Sequence, residues 1–271
     1  MPNELILVLS LIVCYGLVVV WYLLFGKSGL FAFTAIVMVL ANIEVNILIV
    51  AFGLEQTLGN IMFACSFLMT DILSELYGKK SANKAVNIGI VASITFVVIS
   101  QIWLLYTPSG SDKVFSSVEI LFKGVPRIIF SSLIVNAICQ KIDVFLYHAI
   151  WKMTTKITKS EHKGLWVRNN VATLTTQLIN AILFNTCAFA GTVDFIVLVQ
   201  IIASSYIIFI FTSLLDTPIV YAVRKIHESL EKRIGQKNNF VIDFFISNIF
   251  HVKCDKQKQD IEQLDNENEK I

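Results

Sequence analysis

The chain has 271 residues, of which 55% are hydrophobic and only 15% are charged, and its formal net charge is +2. A soluble domain of this length usually has about a quarter of its residues charged. The first apolar block, Leu5–Phe25, contains no charged residue and matches the roughly 20 apolar residues that cross a bilayer. The composition therefore excludes an ordinary soluble domain and predicts an integral membrane protein.

The apolar blocks predict an all-α fold, a polytopic helical membrane protein with about seven transmembrane helices. In chain order the predicted spans are Leu5–Phe25, Leu30–Phe52, Leu58–Tyr77, Ala85–Tyr106, Ile120–Gln140, Val171–Ala190 and Phe195–Ala222. We therefore predict a transmembrane domain over residues 1–222. The remainder, 223–271, is expected to be cytoplasmic, with an amphipathic stretch at Asn238–Val252 and a charged tail after it.

Lysine and arginine are concentrated on one side of this predicted topology. If the chain crosses seven times, the break after the third span, the loop after the fifth span and the start of the tail share that side. Their cations are Lys79, Lys80, Lys84, Lys141, Lys152, Lys156, Lys159, Lys163, Arg168, Arg224 and Lys225. Because cytoplasmic loops carry an excess of lysine and arginine, we predict an N-terminus outside and a C-terminus in the cytoplasm.

The sequence lacks the motifs of several common enzymes. Gly26-Lys27-Ser28 resembles the end of a phosphate-binding loop, but the glycine required five residues earlier is Trp21. No HExxH or GxSxG motif is present, and the five cysteines have no CxxC spacing. We predict that the chain is not an enzyme and has no cofactor, no metal site and no nucleic-acid partner.

Polar side chains inside the predicted spans are the candidates for function. A charge at the centre of a membrane helix costs roughly 2.5–3.5 kcal/mol on insertion scales, so such groups need a partner, a water-filled cavity or a task. The candidates for substrate binding or coupling are Asn42, Glu44, Asn46, Asp71, Glu75, Arg127, Asn136, Gln140, Gln177, Asn180 and Phe184.

The second predicted span places three of these candidates close together. Asn42 and Asn46 share one helical face, whereas Glu44 points elsewhere if the helix is regular. A broken helix there would let all three converge on a ligand, as in many transporters. Alternatively, the asparagines bind neighbouring helices and Glu44 is paired.

The third predicted span carries two carboxylates, Asp71 and Glu75, on one face. Because like charges four residues apart repel each other, we expect a nearby cation or a proton on one of the acids. Arg127 in the fifth span is the predicted cation. Alternatively, this is an interfacial helix end whose acids pair with Lys79 or Lys80.

The fifth and sixth predicted spans each carry a polar stripe. Asn136 and Gln140 are four residues apart in the fifth span, and Gln177, Asn180 and Phe184 follow at helical spacing in the sixth. These faces offer amide hydrogen bonds and an aromatic surface, which would suit a neutral, planar solute. Packing between helices explains the same stripes without a solute.

Five stretches of the sequence together carry a family resemblance. They are 67–80 (FLMTDILSELYGKK), Arg127 with Ser131-Ser132, 140–144 (QKIDV), 165–170 (LWVRNN) and 216–221 (DTPIVY). In these motifs, and from about Leu5 to Tyr221, the chain resembles the queuosine precursor transporters, also called the VUT family, of bacterial inner membranes.

The resemblance implies a multi-pass inner-membrane transporter that imports 7-deazaguanine compounds, the purine-like precursors of the tRNA nucleoside queuosine. Two positions depart from the family pattern, which usually has an aspartate at Asn180 and a lysine at Phe209. An acid and a base are missing together, as if an ion pair had been deleted as a unit. Asn180 is also a poorer acceptor than a carboxylate for the two N–H groups of a guanine-like edge.

The residue roles that follow are expectations. The solute would lie between the second, third, fifth and sixth helices. Asp71 and Glu75 would accept hydrogen bonds from it or carry a coupling proton, Arg127 would neutralise them, Gln177 and Asn180 would bind the solute's edge, and Phe184 would stack on it.

Two other classes of membrane protein fit the same sequence. One is a substrate-capture subunit that needs a separate ATPase, and the other is a non-transporting sensor or scaffold. Co-purification of an ATPase would favour the first, and uptake by the reconstituted chain alone would exclude both. A homo-oligomer is compatible with the sequence.

Overall fold

The computed structural model describes residues 2–123, 126–160, 163–191 and 193–234, and within them it leaves out the side chains of 54–55, 123, 126–129 and 231–234. The elements are α1 (Asn3–Glu44), β1 (Leu48–Ala51), β2 (Leu54–Thr57), α2 (Gly59–Trp103), α3 (Phe115–Lys123), α4 (Pro126–Thr158), α5 (Leu165–Phe189) and α6 (Phe195–Ile234). The chain divides into two units, 1–226 and 227–271. The predicted amphipathic stretch and the charged tail lie outside the described residues.

The helices confirm a helical, multi-pass membrane protein. Among the described residues, five helices are long and apolar enough to cross a membrane, namely α1, α2, α4, α5 and α6. The 9-residue α3 is much shorter. The count of seven spans is not confirmed by these five helices, two of which contain a break.

The first break reverses the direction of α1. A straight helix of its 42 residues would be about 63 Å long, twice the roughly 30 Å of the hydrocarbon core. At Gly26 the backbone has φ 57°, a left-handed value that favours glycine. Trp21 and Phe33 stack with ring centroids 5.5 Å apart, although a straight helix would separate them by about 18 Å. Residues 3–25 and 27–44 are therefore antiparallel segments.

A second reversal occurs in α2 at Gly78, where φ is 75°. Thr34 donates a hydrogen bond to the Met69 sulfur at 3.5 Å. Its methyl group also lies 3.5 Å from where a Cβ on Gly89 would be. In a straight helix, positions 69 and 89 would be about 30 Å apart. The two segments of α2 therefore run antiparallel to each other, and both contact α1.

The predicted second span, Leu30–Phe52, is wrong at its C-terminal end. The helix ends at Glu44, and β1 and β2 pair as an antiparallel hairpin. Its turn residues, Phe52 and Gly53, have φ values of 54° and 72°. Periodicity alone does not distinguish a short apolar strand from the end of an apolar helix. As a consequence, Glu44 lies at a helix end rather than in the middle of a span.

The predicted fifth span and the long basic loop after it also differ from the structure. The span Ile120–Gln140 covers two helices, α3 and the start of α4, and α4 continues to Thr158. Most of the predicted loop 141–168 is therefore helical. Its lysines are as good helix formers as leucine, and Lys141 donates from the helix surface to the Asn87 amide oxygen. The basic residues after Gln140 therefore do not mark the end of α4.

Candidate functional site

A pocket of about 280 Å³, including the space at its mouth, lies between the first segment of α2 and the helices α4, α5 and α6. The lining residues are Asn60, Phe63, Ser132, Asn136, Asn180, Ala181, Phe184, Asn185, Ser205 and Phe209. Among the side chains that the structure describes, this lining combines amides, hydroxyls and aromatic rings and has no charged group. Helix α6 takes the place that we expected for the second predicted helix.

Three predicted site residues line this pocket, namely Asn136, Asn180 and Phe184. The polar stripe on α5 includes one residue that was not predicted, Asn185. Its side-chain amide donates to the Ser205 hydroxyl at 3.3 Å. Asn185 follows Ala181 by four residues, so helical spacing could have found it. Nothing in the sequence singled out the pocket residues on α2 or Ser205, because their helices showed no matching stripe.

Two further predicted residues lie beside the pocket lining. Gln140 donates to the Asn136 amide oxygen at 3.2 Å and to the Ser66 hydroxyl at 3.1 Å, which connects α4 to α2. Gln177 accepts a 3.5 Å hydrogen bond from Asn180. Both glutamines are almost completely buried. They hold the amides of Asn136 and Asn180 in position at the pocket.

The predicted residues at the end of α1 are not among the lining residues. The Asn42 amide donates to the Ser93 hydroxyl at 3.0 Å, and the Asn46 amide donates to the Asn42 carbonyl at 3.2 Å. These are contacts of helix packing and helix termination. Glu44 is half-buried at the last position of the helix. The side chain of Arg127 lies outside the described residues.

Three carboxyl groups are buried together in the helical bundle. Asp71 and Asp143 have no exposed surface, and Asp216 is 1% exposed. Thr173 donates to Asp71 at 3.0 Å, and the carboxyls of Asp71 and Asp143 lie within hydrogen-bonding range of each other. No ion pair joins any of the three to a described cation. Asp143 and Asp216 stood in the family motifs but were not among the predicted site residues.

Glu75, in contrast, accepts hydrogen bonds from two arginines and a tyrosine. Arg168 binds it through two donors, with Nε 3.0 Å from Oε2 and Nη2 2.5 Å from Oε1. Arg224 lies 3.0 Å from Oε1, and the Tyr147 hydroxyl donates at 2.8 Å. The ion pair with Arg168 is buried, since the two side chains are 0% and 4% exposed. We call these four residues the Glu75 cluster.

The Glu75 cluster joins α2, α4, α5 and α6 at the end of the bundle that contains the basic turns. The cations that pair with Glu75 are Arg168 and Arg224, whereas Lys79 lies over the Phe145 ring at 5.2 Å. From the sequence, Arg168 was predicted in the loop after the fifth span and Arg224 at the start of the cytoplasmic tail. Arg168 is instead completely buried and stacks over Trp151 at 4.2 Å.

Taken together, apolar helices surround an uncharged polar pocket, with buried carboxyls farther along the same helices. Ionisable groups inside a membrane bundle mark ion and substrate pathways, and a pocket with a few convergent polar groups is the usual small-molecule site. Fold and site are thus those of a multi-pass membrane protein with a candidate small-molecule site.

The comparisons with known proteins identify the transporter family to which the chain belongs. Residues 57–223 match the family described as "Putative vitamin uptake transporter", and the chain belongs to that family. It is 36% identical over 214 residues to a "Probable queuosine precursor transporter" of Bacillus subtilis (strain 168), an alignment that covers 79% of this chain and 91% of the relative. No solved structure matches the chain. The resemblance found in the sequence motifs is confirmed.

Proposed function

We propose that this protein imports a neutral, planar, purine-like base of the queuosine precursor class across the bacterial inner membrane. The pocket lining is the observation that carries the proposal. Its asparagine amides each offer donors and an acceptor, which suits the mixed hydrogen-bonding edge of a heteroaromatic base. Its phenylalanine rings offer stacking surfaces. The name of the Bacillus subtilis relative supports the substrate class.

The two departures from the family pattern favour a neutral solute. Asn180 and Phe209 both line the pocket. Where relatives are expected to have an acid and a base, this pocket has an amide and a phenylalanine ring. A charged solute would find no counter-charge in the described lining, and burying an unpaired charge is costly.

We further propose seven membrane spans, because α1 and α2 each consist of two antiparallel segments of membrane-spanning length. With an N-terminus outside, the turns at Gly26, Gly78 and 159–164 and the end of α6 would all lie in the cytoplasm. Basic residues lie at each of these turns, including Lys27, Lys79 and Lys163, and Arg224 and Lys225 lie near the end of α6. The orientation therefore agrees with the positive-inside rule.

Cysteine labelling is expected to report this orientation directly. Ser109→Cys lies in the exposed loop after α2, and Ser160→Cys lies in the basic turn after α4. In intact cells, an impermeant thiol reagent should label the first and spare the second. The background should lack Cys187, which is exposed, and Cys254. Labelling at position 160 from outside would reverse the proposed orientation.

A change of Phe184 to leucine is expected to weaken solute binding while the protein remains folded. Stacking of a base on an aromatic ring contributes about 1–3 kcal/mol, so the Kd should rise roughly 5- to 150-fold. Binding of 7-deazaguanine to the detergent-purified protein measures this effect. Phe211→Leu is the matched control, because Phe211 lies on α6 with 65% of its surface exposed. Equal Kd values for the two variants would contradict the assignment of this pocket.

Uptake of 7-deazaguanine by proteoliposomes that contain only this chain tests the proposed function itself. Uptake without any added protein would exclude both the ATPase-dependent capture subunit and the non-transporting sensor. Binding without uptake would favour one of those two classes instead.

A further inference from the structure

Asp71 on α2 and Asp143 on α4 form a buried pair with few hydrogen-bond donors. Each side chain is completely buried. Thr173 donates to one oxygen of Asp71. The hydroxyl of Thr176, which donates to the Ala172 carbonyl at 2.9 Å, lies beside Asp143. The other oxygen of Asp71 and both oxygens of Asp143 have no hydrogen-bond partner among the described residues. Their carboxyls are within hydrogen-bonding range of each other. Ionised carboxylates only accept hydrogen bonds, so a bond between two of them requires a proton on one.

A hydroxyl group beside the pair also has no described partner. Ser74 is completely buried, and its hydroxyl has no described partner. It lies one turn from Asp71 on the same face of α2. A fully buried hydroxyl is rarely left without a partner in a native structure, so the space next to Asp71 is suited to a bound species.

The titratable groups that face the pair from neighbouring helices do not supply that charge. Asp216 faces it from α6, Cys139 and Tyr147 face it from α4, and Tyr15 reaches Asp216 from α1. Arg168, which interacts with Tyr147, is held by Glu75. Among the described residues, no three acidic, histidine or cysteine side chains converge as metal ligands. The described side chains therefore form no three-ligand metal site of this kind, and a proton on one carboxyl is the simplest compensation for the buried pair.

The pair also lies between the solute pocket and the Glu75 cluster. Along the first segment of α2, Asn60 lines the pocket, Asp71 follows by about 16 Å of helix, and Glu75 by about 6 Å more. A change of charge at Asp71 would therefore act on a helix that contacts the solute at one end and the basic turns at the other.

Resting on the proposed function, we propose that Asp71 and Asp143 bind one proton between them and that this proton crosses the membrane with the solute. The proton arrives from the outer side with the base and leaves on the cytoplasmic side. Its loss leaves two adjacent buried carboxylates, whose repulsion favours separation of α2 from α4. An inward proton gradient would thereby drive accumulation of the base.

Labelling with dicyclohexylcarbodiimide tests the proton site without any solute. The reagent adds to a protonated carboxyl in apolar surroundings and rearranges to a stable N-acylurea, so no other reactant is needed. At neutral pH, mass spectrometry of peptides should find the adduct on Asp71 or Asp143, and labelling should fall as the pH rises.

In Asp143→Asn, the introduced amide can donate to the Asp71 carboxylate, so labelling of Asp71 should fall. Asp194→Asn, an exposed acid between α5 and α6, should label as the parent does.

Uptake of 7-deazaguanine into proteoliposomes tests the coupling. With one proton per solute, an inward gradient of one pH unit should support about tenfold accumulation, and Asp143→Asn should lose that accumulation while Asp194→Asn keeps it. Because asparagine is a neutral isostere of a protonated aspartate, Asp143→Asn should not lower the Tm. Unchanged gradient-driven accumulation in Asp143→Asn, or accumulation driven by Na⁺ at constant pH, would overturn the proton site while the proposed function stands. If carbodiimide labels the pair as expected but the parent transports no base, the proposed function fails instead.

Discussion

Replacement of Arg168 by methionine is expected to be the most destabilising single change in the Glu75 cluster. Arg168 supplies two of the donors to a carboxylate whose side chain is only 4% exposed. Removal of one partner of a buried ion pair costs about 3–5 kcal/mol. Because Arg224 still lies 3.0 Å from Glu75 Oε1 and compensates part of its charge, we expect the lower end of this range. Methionine keeps an apolar stem next to Trp151, so the loss should come mainly from the missing charge. A lower Tm of the detergent-purified protein and a lower yield in the membrane measure it.

A double variant separates the charge effect from a packing effect. Glu75→Gln together with Arg168→Met removes both charges and should recover much of the lost stability. The matched control is Lys156→Met, an exposed lysine in the last turn of α4, which should change stability by no more than about 0.5 kcal/mol. If Arg168→Met is no more destabilising than Lys156→Met, the Glu75 cluster does not hold the helices together.

Restoring only one of the two family charges should also harm the protein. Asn180→Asp alone would bury an unpaired carboxylate, and Phe209→Lys alone an unpaired ammonium group, each at a cost of about 2.5–3.5 kcal/mol on the scale for mid-membrane charges. Both positions line the same pocket, so the double variant should recover much of the loss by forming an ion pair. Its carboxylate should also bind 7-deazaguanine more tightly than the parent does, because it accepts both N–H groups of a guanine-like edge.

A double-mutant cycle on membrane yield and on the Kd for 7-deazaguanine measures this coupling. Phe211→Lys is the control partner, since Phe211 is on the same helix but is 65% exposed. Combined with Asn180→Asp, it should give no recovery. Simple additivity of the Asn180 and Phe209 variants would show that the two positions are not neighbours, and it would weaken the proposed substrate class.

The sequence by itself determined the class of this protein and part of its pocket. Uncharged apolar blocks such as Leu5–Phe25 are long enough to cross a bilayer, whatever their partners are. The sixth predicted span showed its pocket face directly, because Asn180 and Phe184 recur at the spacing of one helical turn. The family followed from ordered motifs that need no structure. Each of these patterns lies within one segment of the chain, so it can be recognised without knowing how the helices pack.

Only the tertiary structure showed which residues of other helices contact these polar faces. Helical spacing placed Asp71 and Glu75 on one face, but it did not show that Asp71 meets Asp143 or that Glu75 meets Arg168, which is 93 positions away along the chain. Arg168 was predicted in a loop, yet a buried carboxylate makes burial of a guanidinium favourable. The end of the second helix at Glu44 depended in the same way on the pairing of β1 with β2. Contacts between distant segments are set by how the helices pack, and periodicity within one segment carries no information about its neighbour.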